Sequence, residues 1–229
     1  MKNLAGIIIS ITLLMACSAG PTTIPTSIPV QDTAIPATIT PAFTQIPSGE
    51  TPQPEITGTG GCRTTPGVAP TKPAIVPPSL QLDTTTGLHM TGFPQELDLG
   101  TYHLKVSGKV DHALNLTFDE LRCLPKVTAA VKLSCPGIFV DSATWAGVPI
   151  VEVLVLAGMQ SDMKDITLVG ADGYSATISR EQALNRENFL AYEQQGQLLP
   201  ILHGFPLRGV FPDMAGSFWV KWLVEIVVN

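Results

Sequence analysis

The chain has 229 residues, of which 45% are hydrophobic and only 14% charged, with a formal net charge of -6. That is enough for one or two domains with a real core. The 13 Lys and Arg form no basic run, which excludes an electrostatic footprint for nucleic acid. The four cysteines follow no paired C-x-x-C zinc spacing.

The first 17 residues, "MKNLAGIIISITLLMAC", place one positive charge at Lys2 ahead of an apolar stretch, a small residue and a cysteine. This is the layout of a targeting segment. Its end, "LMAC", resembles a bacterial lipobox, which implies a lipoprotein signal peptide ending at Cys17, with Cys17 acylated. An uncleaved membrane anchor would give the same topology. Either way the expected location is extracytoplasmic, in the bacterial cell envelope and lipid-anchored to the membrane, where disulfides are permitted.

Thirteen of the twenty prolines lie between residues 18 and 78, interleaved with threonine. Proline removes amide donors and disfavours helix, so residues 18–82 are expected to form an extended, solvated tether. The composition becomes globular for residues 83–229.

In that region "YHLKVSGKV" alternates as a strand does. "LTFDELRCL" carries Thr117 and Glu120 at the spacing of a capping box before a short helix. "KVTAAVKLSC" reads as a second strand. "GVPIVEVLVLAG" reads as a helix between Pro149 and Gly158. "DITLVGADGYSATIS" is a hairpin about Asp172-Gly173. "SREQAL" is again a capped helix, with Ser179 and Gln182. "NFLAYEQQGQLLP" gives strand, turn at Gly196, strand, and "FWVKWLVEIVV" a closing strand. Strands and helices mix without βαβ alternation, so the expected fold class is α+β, as a single globular domain.

Two stretches carry chemistry. Cys135 ends an apolar run directly before Pro136-Gly137. A strand end before a tight turn can hold a metal ligand; a disulfide with Cys123 and an inert core thiol are the alternatives. The segment from His203 to Leu223 gathers His203, Arg208 and Lys221 among glycines and prolines, a set suited to an anion such as a phosphate. A surface loop with Arg208 and Lys221 paired to Asp213 and Glu225 is the plainer alternative. Trp145, Trp219 and Trp222 read as core.

"GTYHLKVSGKV", "LTFDELRCLP", "LSCPG", "WAGVPI", "ADGYSATIS", "LAYEQQGQLLP", "HGFPLRGVFP" and "VKWLVEIVV" occur in the order found in the sulfite oxidase-like molybdopterin domain, and residues 84–229 resemble that family. The resemblance implies a mixed sulfite oxidase-type fold that binds one molybdenum through a single molybdopterin. It implies Cys135 as the metal's protein ligand and hence a catalytic residue, and His203, Arg208, Trp219, Val220 and Lys221 as cofactor-binding residues. Asp172 falls near a further pterin contact.

The chain departs from the family in three ways. The family's upstream F-x-R-x-H matches a region with no arginine, where His89 and Thr91 lie. No dimerisation or haem domain is expected after Asn229, which directly follows the closing strand. "MKNLAGII" has no arginine pair of the kind that exports loaded molybdenum enzymes. With no C-x-x-C-H motif, no haem is expected, and electrons would pass to a separate electron-transfer partner.

The leading expectation is a molybdopterin-dependent oxidoreductase, transferring oxygen to or from a small-molecule substrate. The alternative is a non-catalytic surface lipoprotein binding a pterin or another phosphorylated ligand. Cys62 is left over in the tether and could pair with Cys123.

Overall fold

The computed structural model describes residue 62 and residues 67–229. The expected signal peptide, with Cys17, and most of the expected tether lie outside the described residues. Twelve strands and three short helices follow one another in this part. They are β1 (Leu82–Asp83), β2 (Leu88–His89), β3 (His103–Gly108), β4 (Leu114–Thr117), α1 (Phe118–Arg122), β5 (Val127–Cys135), β6 (Phe139–Pro149), α2 (Ile150–Leu156), β7 (Asp165–Gly170), β8 (Ser175–Ser179), α3 (Arg180–Leu184), β9 (Phe189–Gln194), β10 (Gln197–Leu198), β11 (Arg208–Val210) and β12 (Leu223–Val228).

The strands form two five-stranded sheets and one small hairpin. The first sheet runs β4-β3-β12-β7-β8, with β3 and β12 parallel, so the closing strand lies beside the first long one. The second runs β10-β9-β6-β5, with β11 also pairing to β9, and all its pairs are antiparallel. One hydrophobic cluster joins the inner faces of both sheets to the helices. The fold is therefore mostly sheet, with helices of five, seven and five residues, and α+β describes it only approximately.

The local signals work as the chemistry predicts. In α1 the Glu120 amide donates to Thr117 Oγ1 at 3.2 Å, and the Thr117 amide donates to Glu120 Oε2 at 2.8 Å. Ser179 and Gln182 close the same reciprocal cap on α3. Helix α2 buries Ile150, Val153 and Leu154, the i, i+3, i+4 stripe of a helix lying on a sheet.

Two expectations change. The closing strand covers only Leu223–Val228. Residues Gly216–Phe218 form a 3-10 turn, and Trp222 has a left-handed backbone (φ 49°) with its indole donating to Ile201 O at 2.7 Å. Of the two pairings open to Cys123, the structure holds the one with Cys62. Cys123 caps the C-terminus of α1 and is disulfide-bonded to Cys62, with Cα atoms 5.8 Å apart. Pairing of Cys135 with Cys123 is thereby excluded, and Cys135 is free.

Residues just ahead of β1 already touch the domain. Lys72 Nζ reaches Glu96 Oε1 at 2.9 Å, and the Leu80 amide donates to Met90 O at 2.8 Å. No helix among the described residues is long and apolar enough to cross a membrane.

Candidate active site

Cys135 is the last residue of β5. Its carbonyl accepts from the Ile138 amide at 3.0 Å across the Pro136-Gly137 turn, and Phe139 is its register partner on β6. The turn fixes the sulfur at a strand end, half-buried, on the wall of a cavity of about 310 Å³. The same cavity is lined by Asp172, Trp219 and Lys221, with Thr91 and Tyr174 among the rest. Gly216 passes so close that a Cβ there would lie 2.6 Å from the Cys135 sulfur, so only glycine leaves the thiol open.

Burial raises the Cys135 thiol, and Asp141 adds to the rise, against the lowering fields of Arg208 and Lys221. A metal bound to this sulfur would have to supply the deprotonation that a thiolate ligand needs.

Arg208 opens β11 and lies behind this wall. Only 3% of it is exposed. Its guanidinium sits 4.7 Å from the Trp145 ring centre and 5.5 Å from that of Trp219. One Nη1 hydrogen bond reaches His203 O at 3.0 Å, while Nε has no partner. Burial pulls its pKa down to about 9.

Lys221 is buried too. Its ammonium donates to the carbonyls of Thr91 and of Leu202, the latter at 3.1 Å, and lies 4.7 Å from the Trp222 ring centre. Burial first, and the charge of Arg208 second, hold its pKa well below the ordinary lysine value. Among the described residues no carboxylate pairs with either cation. Gly204, with φ 109°, lets the chain turn between them: a Cβ there would stand 3.1 Å from the Cβ atoms of both Arg208 and Lys221.

The structure places the other expected site residues differently from one another. Asp172 borders the cavity, its Oδ1 accepting from the Tyr174 amide at 3.1 Å, and its charge favours the protonated form of Lys221. Trp219 packs edge-on to Trp145 and donates from Nε1 to Phe211 O at 3.0 Å. Val220 is wholly buried, and its carbonyl accepts from the Gly209 amide at 2.9 Å, so it braces the loop. His203 is buried with Nε2 at 2.7 Å from Thr86 Oγ1 and 3.1 Å from Asp83 Oδ2. Burial and the charge of Lys221 depress its pKa to about 4. It therefore latches the β1–β2 hairpin to the site. Sequence reasoning missed Asp83, Thr86 and Asp141. Nothing local marks the first two, and Asp141 belongs to β6, whose N-terminal part carried no strand signal.

These residues fit a phosphate-bearing cofactor with a thiolate-ligated metal. Two buried basic side chains with no carboxylate in contact, one with an orphaned N–H, would be balanced by a bound anion. A soft sulfur donor stands open at the same cavity.

Residues 90–229 match the model of the family described as the oxidoreductase molybdopterin binding domain. The chain belongs to this family. It is 31% identical over 152 residues to the "Uncharacterized oxidoreductase YuiH" of Bacillus subtilis, which covers 65% of this chain and 76% of that protein. It is 33% identical over 135 residues to the "Putative protein-methionine-sulfoxide reductase subunit YedZ1" of Azospira oryzae, covering 59% of this chain and 52% of that one. Human mitochondrial sulfite oxidase is 32% identical over 163 residues, 58% of this chain but only 30% of the relative. Among solved structures, the sulfane dehydrogenase SoxCD of Paracoccus pantotrophus superposes with a TM-score of 0.56 at 25% identity, over 59% of this chain and 40% of that chain. This molybdopterin-binding oxidoreductase domain thus shares its fold and family with enzymes that are mostly longer.

Proposed function

We propose that the protein is a membrane-tethered, extracytoplasmic molybdopterin-dependent oxidoreductase. It transfers an oxygen atom to or from a small substrate and exchanges electrons with a separate redox partner. The observation that carries this reading is the pair of buried, carboxylate-free cations, Arg208 and Lys221, beside the open thiol of Cys135.

In this reading Arg208 and Lys221 hold the pterin phosphate, the first with a planar fork and the second as a point charge. Trp145 and Trp219 keep the Arg208 fork from turning, and Val220 fixes the loop that carries Lys221. His203 holds the β1–β2 hairpin against the site through Asp83 and Thr86. Cys135 is the protein ligand. When bound, the molybdenum centre supplies two-electron oxygen-atom transfer; binding, orientation and water exclusion fall to the protein.

The cavity rim bears on the substrate. Ile138 is 61% exposed and Leu80 50%, and the cavity's one lining cation, Lys221, is turned inward onto carbonyls. Such a rim suits a neutral oxygen donor or acceptor, such as a sulfoxide, better than an anion such as sulfite. The printed name of the Azospira relative refers to a sulfoxide substrate of this kind. Acylation of Cys17 would hold the domain at the membrane surface.

A second reading, a non-catalytic pterin-binding lipoprotein, is favoured by one observation: burial and the charge of Asp141 raise the Cys135 thiol, which opposes its service as a thiolate ligand. Metal and pterin analysis of protein taken from its own envelope separates the two. About one molybdenum per chain, with reduction of an aryl or alkyl sulfoxide by a dye electron donor, is expected. Protein that carries neither metal nor pterin would overturn the enzyme reading.

A further inference from the structure

Beside the Cys135 cavity lies a polar pair that the cofactor contacts leave unused. His89 ends β2. Its ring lies flat on Phe139, with centroids 4.4 Å apart and planes within 9°. Phe139 is the cross-strand partner of Cys135, so this stack stands next to the thiol's strand end. Both bonds to Asp141 measure 2.7 Å: the His89 amide donates to Oδ2, and ring Nδ1 meets Oδ1.

Asp141 is 4% exposed, and its charge is felt by both Cys135 and Arg208. The chain from Leu88 to Thr91 alternates buried and half-buried, as an extended segment does, so His89 shares a face with Thr91. Thr91 and Ile138, the neighbours of this stack in sequence, both line the cavity.

The two bonds to one carboxylate define the ring. An ionised carboxylate only accepts, so Nδ1 carries the hydrogen and neutral His89 keeps its lone pair on Nε2. Nε2 has no hydrogen-bond partner among the described residues, and the side chain is 27% exposed. A buried carboxylate that fixes tautomer and orientation, with the far nitrogen unpaired on a partly exposed ring, one stacked residue from the thiol's strand end, is the arrangement of a proton relay.

We propose that His89 carries protons between solvent and the oxygen-transfer site, with Asp141 as its positioning residue. This rests on the oxygen-transfer reading above. Reduction of a substrate XO takes two electrons and two protons and yields X and water, and oxidation of X runs the same atoms in reverse. A separate one-electron carrier supplies or accepts the electrons. His89 Nε2 takes a proton from solvent, gives it to the forming water, and repeats this for the second proton. The groups facing His89 are Asp141 from β6 directly and, beyond that carboxylate, Cys135 and Arg208. Its neighbour across β1–β2, Leu82, is uncharged.

His89→Ala, His89→Gln and Asp141→Asn test the assignment in full-length protein. With molybdenum and pterin content equal to wild type, turnover in His89→Ala should fall about 100-fold or more with little change in KM. Added imidazole should restore part of it, while His89→Gln should stay slow. In cofactor-free protein labelled with 15N at histidine, His89 should show a protonated Nδ1 and a bare Nε2. Asp141→Asn should shift that tautomer ratio.

Undiminished turnover in a loaded His89→Ala protein, absence of imidazole rescue, or an Nε2-protonated neutral ring in wild type would each overturn the relay. Wild-type protein loaded with molybdenum but unable to transfer oxygen, or never loaded, overturns the proposed function and the relay with it. The first set of results leaves the proposed function standing.

Discussion

Replacing Arg208 with Met should stabilise the cofactor-free domain while lowering the cofactor content of the loaded one. The guanidinium is fully buried, has no carboxylate partner among the described residues, and leaves Nε unpaired. Its fall from the ordinary guanidinium value to about 9 corresponds to a charge burial cost on the order of 5 kcal/mol. Against this stand two ring contacts, at 4.7 Å and 5.5 Å, worth up to about 2 kcal/mol each when desolvated, and the hydrogen bond to His203 O, worth about 1.5 kcal/mol. Met fills similar volume without charge, so the net gain should be roughly 0.5–2 kcal/mol. For a domain of this size that raises Tm by roughly 1–8 °C. The assay is thermal unfolding at pH 7 of protein made in a host that lacks the cofactor pathway, beside protein from a competent host. The competent-host variant should carry less pterin than wild type, because a charge-assisted bond worth roughly 1.5–3 kcal/mol is gone. A cofactor-free variant that melts several degrees below wild type would refute the reasoning. Arg208 would then be a structural cation with a partner of its own.

Cys135→Ser should abolish oxygen transfer, keep part of the pterin through Arg208 and Lys221, and leave the cofactor-free melting temperature close to wild type, since Cys135 makes no disulfide. A loss of stability equal to that of Cys123→Ser, in protein without molybdenum, would count against the ligand assignment. His203, whose pKa is held down to about 4 by burial, should give the domain an acid-sensitive slope. The unfolded chain protonates this ring near pH 6.5, the folded chain only near 4, so stability present above pH 6.5 is lost as pH falls between these values. The loss amounts to about 3 kcal/mol in all. Denaturant titrations at pH 7, 5.5 and 4 measure it, and His203→Gln should flatten the slope. An unchanged slope in that variant would assign the proton uptake elsewhere.

How much of this was legible in the sequence depended on whether the signal was local. The caps of α1 and α3 need only two residues three apart, and the β7–β8 hairpin needs Asp172-Gly173; all three stand where expected. Strand β6 was not legible. From Trp145 to Pro149 it is buried on both faces, so it shows no alternation, and its end reads as the start of helix α2. Asp141 was lost with it. The closing strand was drawn too long because Phe218 to Leu223 is apolar enough for a strand. Trp222 nonetheless takes a left-handed backbone, φ 49°, which breaks the extended run, and Lys221 and Trp222 bind carbonyls of Leu202 and Ile201. Cys135, Trp219 and Lys221, which ordered motifs single out, line one cavity. The partners of His203 lie about 120 residues away, beyond any spacing rule.

The Cys62–Cys123 bridge changes what limited proteolysis should show. From composition alone the Pro/Thr-rich stretch should be trimmed away to a core beginning between about Pro77 and Leu88. Between Cys17 and Leu82 trypsin has two basic residues to act on, Arg63 and Lys72, and Lys72 precedes Pro73, a bond trypsin cuts poorly. Cleavage after Arg63 leaves Cys62 on the N-terminal fragment. That fragment is held by the disulfide to Cys123, 61 residues along the chain and at the C-cap of a helix in the folded domain. Under non-reducing conditions a tryptic digest should therefore keep its full mass apart from the added water and any cut at Lys2. Adding a reductant should release one fragment ending at Arg63 and leave a core starting at Thr64. Loss of the N-terminal fragment without reductant would show that the bridge does not form in the native protein. Persistence of that fragment after reduction would show that the segment is held by packing, and the expected extended tether would have to be abandoned.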